Sequence, residues 1–166
     1  MQSGKRLVAV DVYKRQGMDA DEITLEIDRL IPKVEASFII NRLDYLAKGG
    51  RCSSLVAMGA NVLHLRPMIL VKDGKMEVGK KYRGSYDDCM VKYIKDRISG
   101  RDNLRLKRIF ITHTACPDDT LDLAEKTVRE CQNFGEILDT EASCTISNHC
   151  GESTLGVLFI LSLIHI

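Results

Sequence analysis

Apolar positions first take a helical spacing at Ile23, Ile27, Leu30 and Ile31, behind the acidic opening Asp19-Ala20-Asp21-Glu22. Carboxylates in a first turn suit the positive end of the helix dipole, and this spacing buries one face. Pro32 ends or bends that helix. Residues 36–40 are short and rich in branched or aromatic side chains, which predicts a strand. Leu43 and Leu46 predict one helical turn, stopped by Gly49-Gly50, and Ser53 or Ser54 caps a following helix whose Leu55, Met58, Val62 and Leu63 share a face. Residues 65–71 and 75–83 flank Lys72-Asp73-Gly74-Lys75, and Asp-Gly suits the tight turn of a hairpin. Further on, residues 85–98 predict a helix with Met90, Val91, Ile94 and Ile98 inward, and 108–112 a strand. Residues 117–131 predict a helix with Leu121, Ala124 and Val128 as its buried stripe. Strands at 136–139, around 145–147 and at 154–160 complete the pattern.

Helices separated by short strands, with one clear hairpin, imply an α/β fold: a mixed, largely antiparallel sheet covered by helices on at least one face. Residues 17–160 show no repeat, low-complexity segment or linker and read as one domain. The flanks differ. Asp11–Gln16 (DVYKRQ) and Leu161–Ile166 (LSLIHI) resemble translated sequencing-adapter peptides, so 1–16 is expected to be a non-native leader and 161–166 a non-native tail.

Composition narrows function more than fold. At 45% hydrophobic and 28% charged, the 166-residue chain is ordinary for a globular protein. The balance of 24 Lys+Arg against 23 Asp+Glu, with 5% aromatics and no Trp, gives no basic surface or stacking platform for nucleic acid. Six cysteines without a CxxC pair read as reduced thiols, mostly core residues, which fits a cytoplasmic protein. The terminal apolar run is about half the length needed for a membrane span, so none is expected.

Three features carry candidate chemistry. Gly49-Gly50-Arg51 combines close backbone approach with a bidentate donor beside a helix start, which suits a carboxylate or phosphate; the plainer reading is a helix C-cap followed by a surface arginine. His149, ahead of Gly151, stands at a strand junction where an imidazole can donate to an anion or move a proton, and is otherwise a structural histidine. Cys150 beside it raises a thiol hydrolase or acyl-transfer enzyme, and Cys144, His149 and Cys150 raise a zinc-binding structural module, though a regularly spaced fourth ligand is missing. Third, Thr112-His113-Thr114 ends a strand, but the acidic helix start beyond it favours a structural His113. His64 reads as exposed, Arg83 as surface charge, and the Leu55, Met58, Leu63, Met68 stripe as core before ligand tunnel. No P-loop, HExxH, GxSxG or dinucleotide fingerprint is present.

Taken together, FIINRLDYLAKGGR (38–51), LRPMILVKDGKMEVGKKYRG (65–84) and HCGESTLGVLFI (149–160) resemble the second, C-terminal domain of the DegV family. That resemblance implies a protein that binds a long-chain fatty acid and presents its carboxylate to a separate ATP-dependent fatty acid kinase subunit, which forms an acyl phosphate for phospholipid synthesis. It implies no catalysis and no cofactor of the chain's own, since ATP and Mg²⁺ belong to the partner. It places Arg51 and His149 near the headgroup or the kinase-docking surface, with Gly49, Gly50 and Gly151 allowing backbone approach and Leu55, Met58 and Met68 along an apolar tunnel. Two departures follow. Glu152-Ser153 stands where the family commonly has Pro and a small residue, and the family's first domain, with its Ser and Thr headgroup ligands, has no counterpart in this sequence.

Overall fold

The computed structural model describes Lys14, residues 17–42, Tyr45 and residues 65–162. The chain divides into two units, Met1–Val34 and Glu35–Ile166. In the first, helix α1 (Ala20–Leu30) opens on a reciprocal cap: the Glu22 amide donates to Asp19 Oδ1 at 2.8 Å and the Asp19 amide to Glu22 Oε2 at 3.0 Å. Ile23, Ile27 and Leu30 are its buried positions, as their spacing predicts, and Pro32 sits in a closing 3₁₀ turn, Ile31–Lys33.

The second unit is built on a six-stranded sheet in the order β3-β2-β1-β6-β4-β5. Its strands are β1 (Val34–Ile39), β2 (Leu65–Lys72), β3 (Lys75–Arg83), β4 (Leu104–Thr114), β5 (Glu136–Glu141) and β6 (Thr154–Leu161). The pairs β1–β2, β2–β3 and β4–β6 are antiparallel and β4–β5 is parallel, so the sheet is mixed and largely antiparallel. The hairpin turn is where Asp-Gly predicts it: Lys72 pairs with Lys75, and Asp73 (φ 48°) and Gly74 (φ 75°) both take the left-handed conformation of a primed turn.

Helices α2 (Tyr86–Ile98) and α3 (Asp118–Cys131) cover one face. Met90, Tyr93, Ile94 and Ile98 of α2, with Ala124 and Val128 of α3, pack on Ile39, Ile109, Ile111, Leu155, Val157 and Phe159. Each of the Val, Leu, Ile, Met and Phe side chains among these is worth about 1.5–3 kcal/mol when removed from water. Val91 and Leu121, expected inside, are half-buried at the rim of this core. Tyr93 does more than fill space. Its hydroxyl enters between neighbouring β1 and β6, donating to the Ser37 carbonyl at 2.8 Å, lying 2.9 Å from Ser37 Oγ and accepting from the Val157 amide at 3.0 Å.

A smaller core on the opposite face joins Ile40, Ile69 and Cys150, flanked by Phe38, Met76, Val78 and Ile146. Here the structure corrects one expectation. The strand predicted around 145–147 is a helix, α4 (Cys144–Cys150), because Ile146 and Cys150 meet this core one helical turn apart. Among the described residues, no helix is long and apolar enough to cross a membrane.

Candidate functional site

The last turn of α4 delivers His149 and Cys150 to the end of the sheet where β4 stops and β6 begins. Gly151 (φ 79°) ends the helix, with its amide bonded to the Ser147 carbonyl at 2.8 Å. A Cβ at this position would lie 2.5 Å from the Tyr45 ring, so backbone and ring touch only because residue 151 is glycine. The guanidinium of Arg42 lies over the same ring at 5.3 Å.

Two threonines clamp the turn that follows. Thr114, buried at the end of β4, donates its hydroxyl to the Gly151 carbonyl at 2.6 Å and accepts from the Thr154 amide at 3.1 Å. Its carbonyl accepts from the Ser153 amide at 3.1 Å, and Thr154 Oγ1 donates to the Cys150 carbonyl at 3.0 Å. The 151–154 turn is therefore held from both sides, with Ser153 in a left-handed conformation (φ 53°) and Glu152 exposed. His149 is half-buried beside this turn, and its imidazole makes no hydrogen bond to a described residue. Thr114 and Thr154 thus fix the backbone beside this imidazole.

The two thiols at this end are held protonated. Burial pushes Cys150 up to about 11, and burial likewise pushes Cys116 up to about 11. Cys150 faces Ile40 and Ile69, while His149, one residue earlier on a helix, is turned about 100° away. Nucleophile and base are thus separated, and the thiolate is disfavoured at neutral pH. Among the described residues, no group of three His, Cys, Asp or Glu side chains is placed to hold a metal ion, so Cys144, His149 and Cys150 do not converge on one.

Two further polar groups lie toward the same end. Arg66, at the start of β2, donates to the Asn41 carbonyl at 3.0 Å and lies 6.0 Å from the Tyr86 ring centre. Burial raises the Tyr86 hydroxyl well above its ordinary pKa, keeping it neutral. His113 has its Nε2 3.2 Å from Asp139 Oδ1, the structural role its position before an acidic helix start favours. Arg83 is exposed at the end of β3. Met68 is buried in the larger core. Gly49, Gly50, Arg51, Leu55, Met58 and His64 lie outside the described residues. His149 and Gly151, which the sequence singles out, lie at this turn; Thr114 and Thr154, which hold it, and Tyr45, whose ring lies against Gly151, were not singled out as site residues. In the sequence the two threonines are marked only as the last residue of one strand, β4, and the first of another, β6.

A family model described as an uncharacterised protein of the DegV family matches residues 3–162. A DegV domain-containing protein of Clostridium acetobutylicum is 31% identical over 149 residues, which cover 89% of this chain and 51% of that protein. A fatty acid binding DegV family protein from Streptococcus agalactiae shares the fold with a TM-score of 0.73 at 23% identity, over 97% of this chain and 56% of that one. The Streptococcus pneumoniae fatty acid kinase B3 protein, solved loaded with linoleic acid, superposes with a TM-score of 0.69 at 21% identity, over 89% of this chain and 51% of that one. The chain spans about half the length of the curated relatives it matches.

Proposed function

The chain belongs to the DegV family, and we propose that it is one lobe of a fatty-acid-binding protein that offers a bound carboxylate to a separate ATP-dependent kinase. The observation that carries this reading is the clamped turn. Thr114 and Thr154 fix residues 151–154, and His149 stands beside them with an imidazole not bonded to any described residue. That is what an anionic headgroup requires: a positioned donor on backbone that does not rearrange. The names of the similar structures support the ligand class, and that of the Streptococcus pneumoniae protein supports the kinase.

In this reading the tail supplies affinity and the headgroup supplies orientation. Burying about 14 methylenes at roughly 0.8 kcal/mol each gives an upper bound near 11 kcal/mol, and association and ordering remove several of these. The second lobe, corresponding to the part of the relatives that this chain does not span, would supply the rest of the tunnel and further headgroup donors. His149 donates to the carboxylate, and Arg51 pairs with its charge or that of the product. The carboxylate oxygen attacks the γ-phosphorus of ATP held with Mg²⁺ by the kinase; an O–P bond forms to give the acyl phosphate, and ADP leaves. No group of this chain enters the bond changes. The raised thiol pKa of Cys150 and its separation from His149 favour this over a cysteine hydrolase.

The test is the longest polypeptide the gene encodes, assayed with ATP, Mg²⁺ and an ATP-dependent fatty acid kinase. It is expected to copurify with a long-chain fatty acid seen by native mass spectrometry and to yield acyl phosphate trapped as the hydroxamate. His149→Ala and Arg51→Ala should each lower that yield by about tenfold or more, the loss of one charge-assisted hydrogen bond. A lipid-free protein whose variants are all equivalent overturns the reading. The 166-residue chain alone is expected to bind palmitate weakly in calorimetry; submicromolar binding would remove the need for a second lobe.

A further inference from the structure

The sheet has a second polar feature, at its β5 edge. β5 is the last strand in the order, and among the described residues nothing pairs with its outer side. On the helix side of this edge, α3 and the β4–β5 pair leave a groove of about 200 Å³. Ile111, Leu121 and Ile137 give it an aliphatic floor; Asp118, Asp122, Glu125 and Asp139 line it with carboxylates. Glu125 is engaged by Arg129 at 2.6 Å, and Asp139 by His113. Among the described residues, no cation is paired with Asp118 or Asp122.

An exposed strand edge needs protection from stray pairing; on β5, Glu136 is paired with Arg108 and Asp139 with His113, and Glu141 at its end supplies repulsion against a like edge. Repulsion alone does not require a trough with an aliphatic floor. Such a trough beside a free edge suits the side chains of an added strand. Its backbone would use the free amides and carbonyls of β5, and every second side chain would enter the groove under α3. Charge then selects the occupant, because a cationic strand meets unpaired carboxylates and an acidic one is refused.

We propose that the β5 edge and its groove take an extended basic segment of a partner protein as a further strand. An aliphatic side chain of that segment lies over Ile137 and Leu121, and flanking Lys or Arg side chains reach Asp118 and Asp122. The probe is a fluorescent peptide of alternating lysine with valine or leucine, titrated into the full chain and followed by anisotropy. Binding is expected at low salt, with slowed amide exchange confined to residues 136–141. The double variant Asp118→Asn/Asp122→Asn should weaken it by about tenfold or more. The same peptide, N-methylated along one backbone edge so that its charge is unchanged, should lose a similar factor, and this control leaves the protein untouched. Three results overturn the proposal: no binding at millimolar peptide, binding insensitive to N-methylation, which would be charge attraction alone, or sedimentation showing that a second copy of the chain occupies the edge.

Discussion

Thr114 holds the turn beside His149 through both roles of its hydroxyl, as donor to the Gly151 carbonyl and acceptor from the Thr154 amide. Valine has the same shape and neither role. Thr114→Val is expected to cost about 2–3 kcal/mol, because it orphans a buried acceptor and a buried donor together. Thr114→Ser should recover most of the loss. Urea unfolding checks both, and a valine variant within about 0.5 kcal/mol of the parent would mean that water replaces the hydroxyl. Cys150 gives the second residue-scale outcome. Its thiol, pushed up to about 11 by burial, should resist iodoacetamide at pH 8 while exposed Cys144 reacts. Peptide mass spectrometry reads the two sites, and equal labelling would contradict the burial argument. The turn after His149 was legible in the sequence because a histidine ahead of a glycine marks a turn with a side chain to present. The threonines were not, because a hydroxyl that clamps a turn and one that faces water have the same letter.

Among the elements, those with strong local chemistry were legible. The Asp73-Gly74 turn, the acidic opening of α1 and the apolar spacing of α2 each have one favoured local solution, and the structure adopts it. α4 was not, because Thr145-Ile146-Ser147 has the branched character of a strand and only Ile146 and Cys150 carry helical spacing. Contact with the Ile40–Ile69 patch decides its form. β4 was underestimated for a related reason: Arg105, Lys107 and Arg108 interrupt its apolar pattern, although the strand starts at Leu104. The join between β1 and β6 was hidden altogether. There a Cβ at residue 156 would stand 2.7 Å from the Ser37 carbonyl oxygen and 3.0 Å from Phe38 Cβ, in the region the Tyr93 hydroxyl ties together. Gly156→Ala is therefore expected to force the strands apart and cost about 1–3 kcal/mol, the usual range for overpacking. Tyr93→Phe should also destabilise, by leaving the Val157 amide unpaired. Because the two changes act on one join, the double variant should lose less than the sum. Strict additivity in urea unfolding would show that the contacts are independent.

At the scale of the whole sheet-bearing unit, the end away from His149 is tied by one carboxylate. Glu35, at the start of β1, accepts from Arg101 through both oxygens, at 2.8 and 3.0 Å, and from Arg97. Both guanidinium groups lie over the Phe159 ring, 5.7 and 5.4 Å from its centre. This cluster joins β1, β6 and the C-terminal end of α2 across more than sixty positions of sequence, which is why no local pattern announces it. Hydrogen bonding from Arg101, reinforced by Arg97, holds the Glu35 carboxyl below the ordinary glutamate range against the opposing effect of burial. The sign follows from linkage. A carboxyl that is harder to protonate in the folded state than in the unfolded chain contributes stability above its unfolded pKa of about 4.3, and loses it as pH falls through the lower folded value. Glu35→Gln removes that contribution at every pH. Urea midpoints of parent and variant should therefore differ most at pH 6 and draw together below about pH 4. A gap of constant size down to pH 3 would show that glutamine disturbs packing and that the charge pairing at this end contributes nothing to stability.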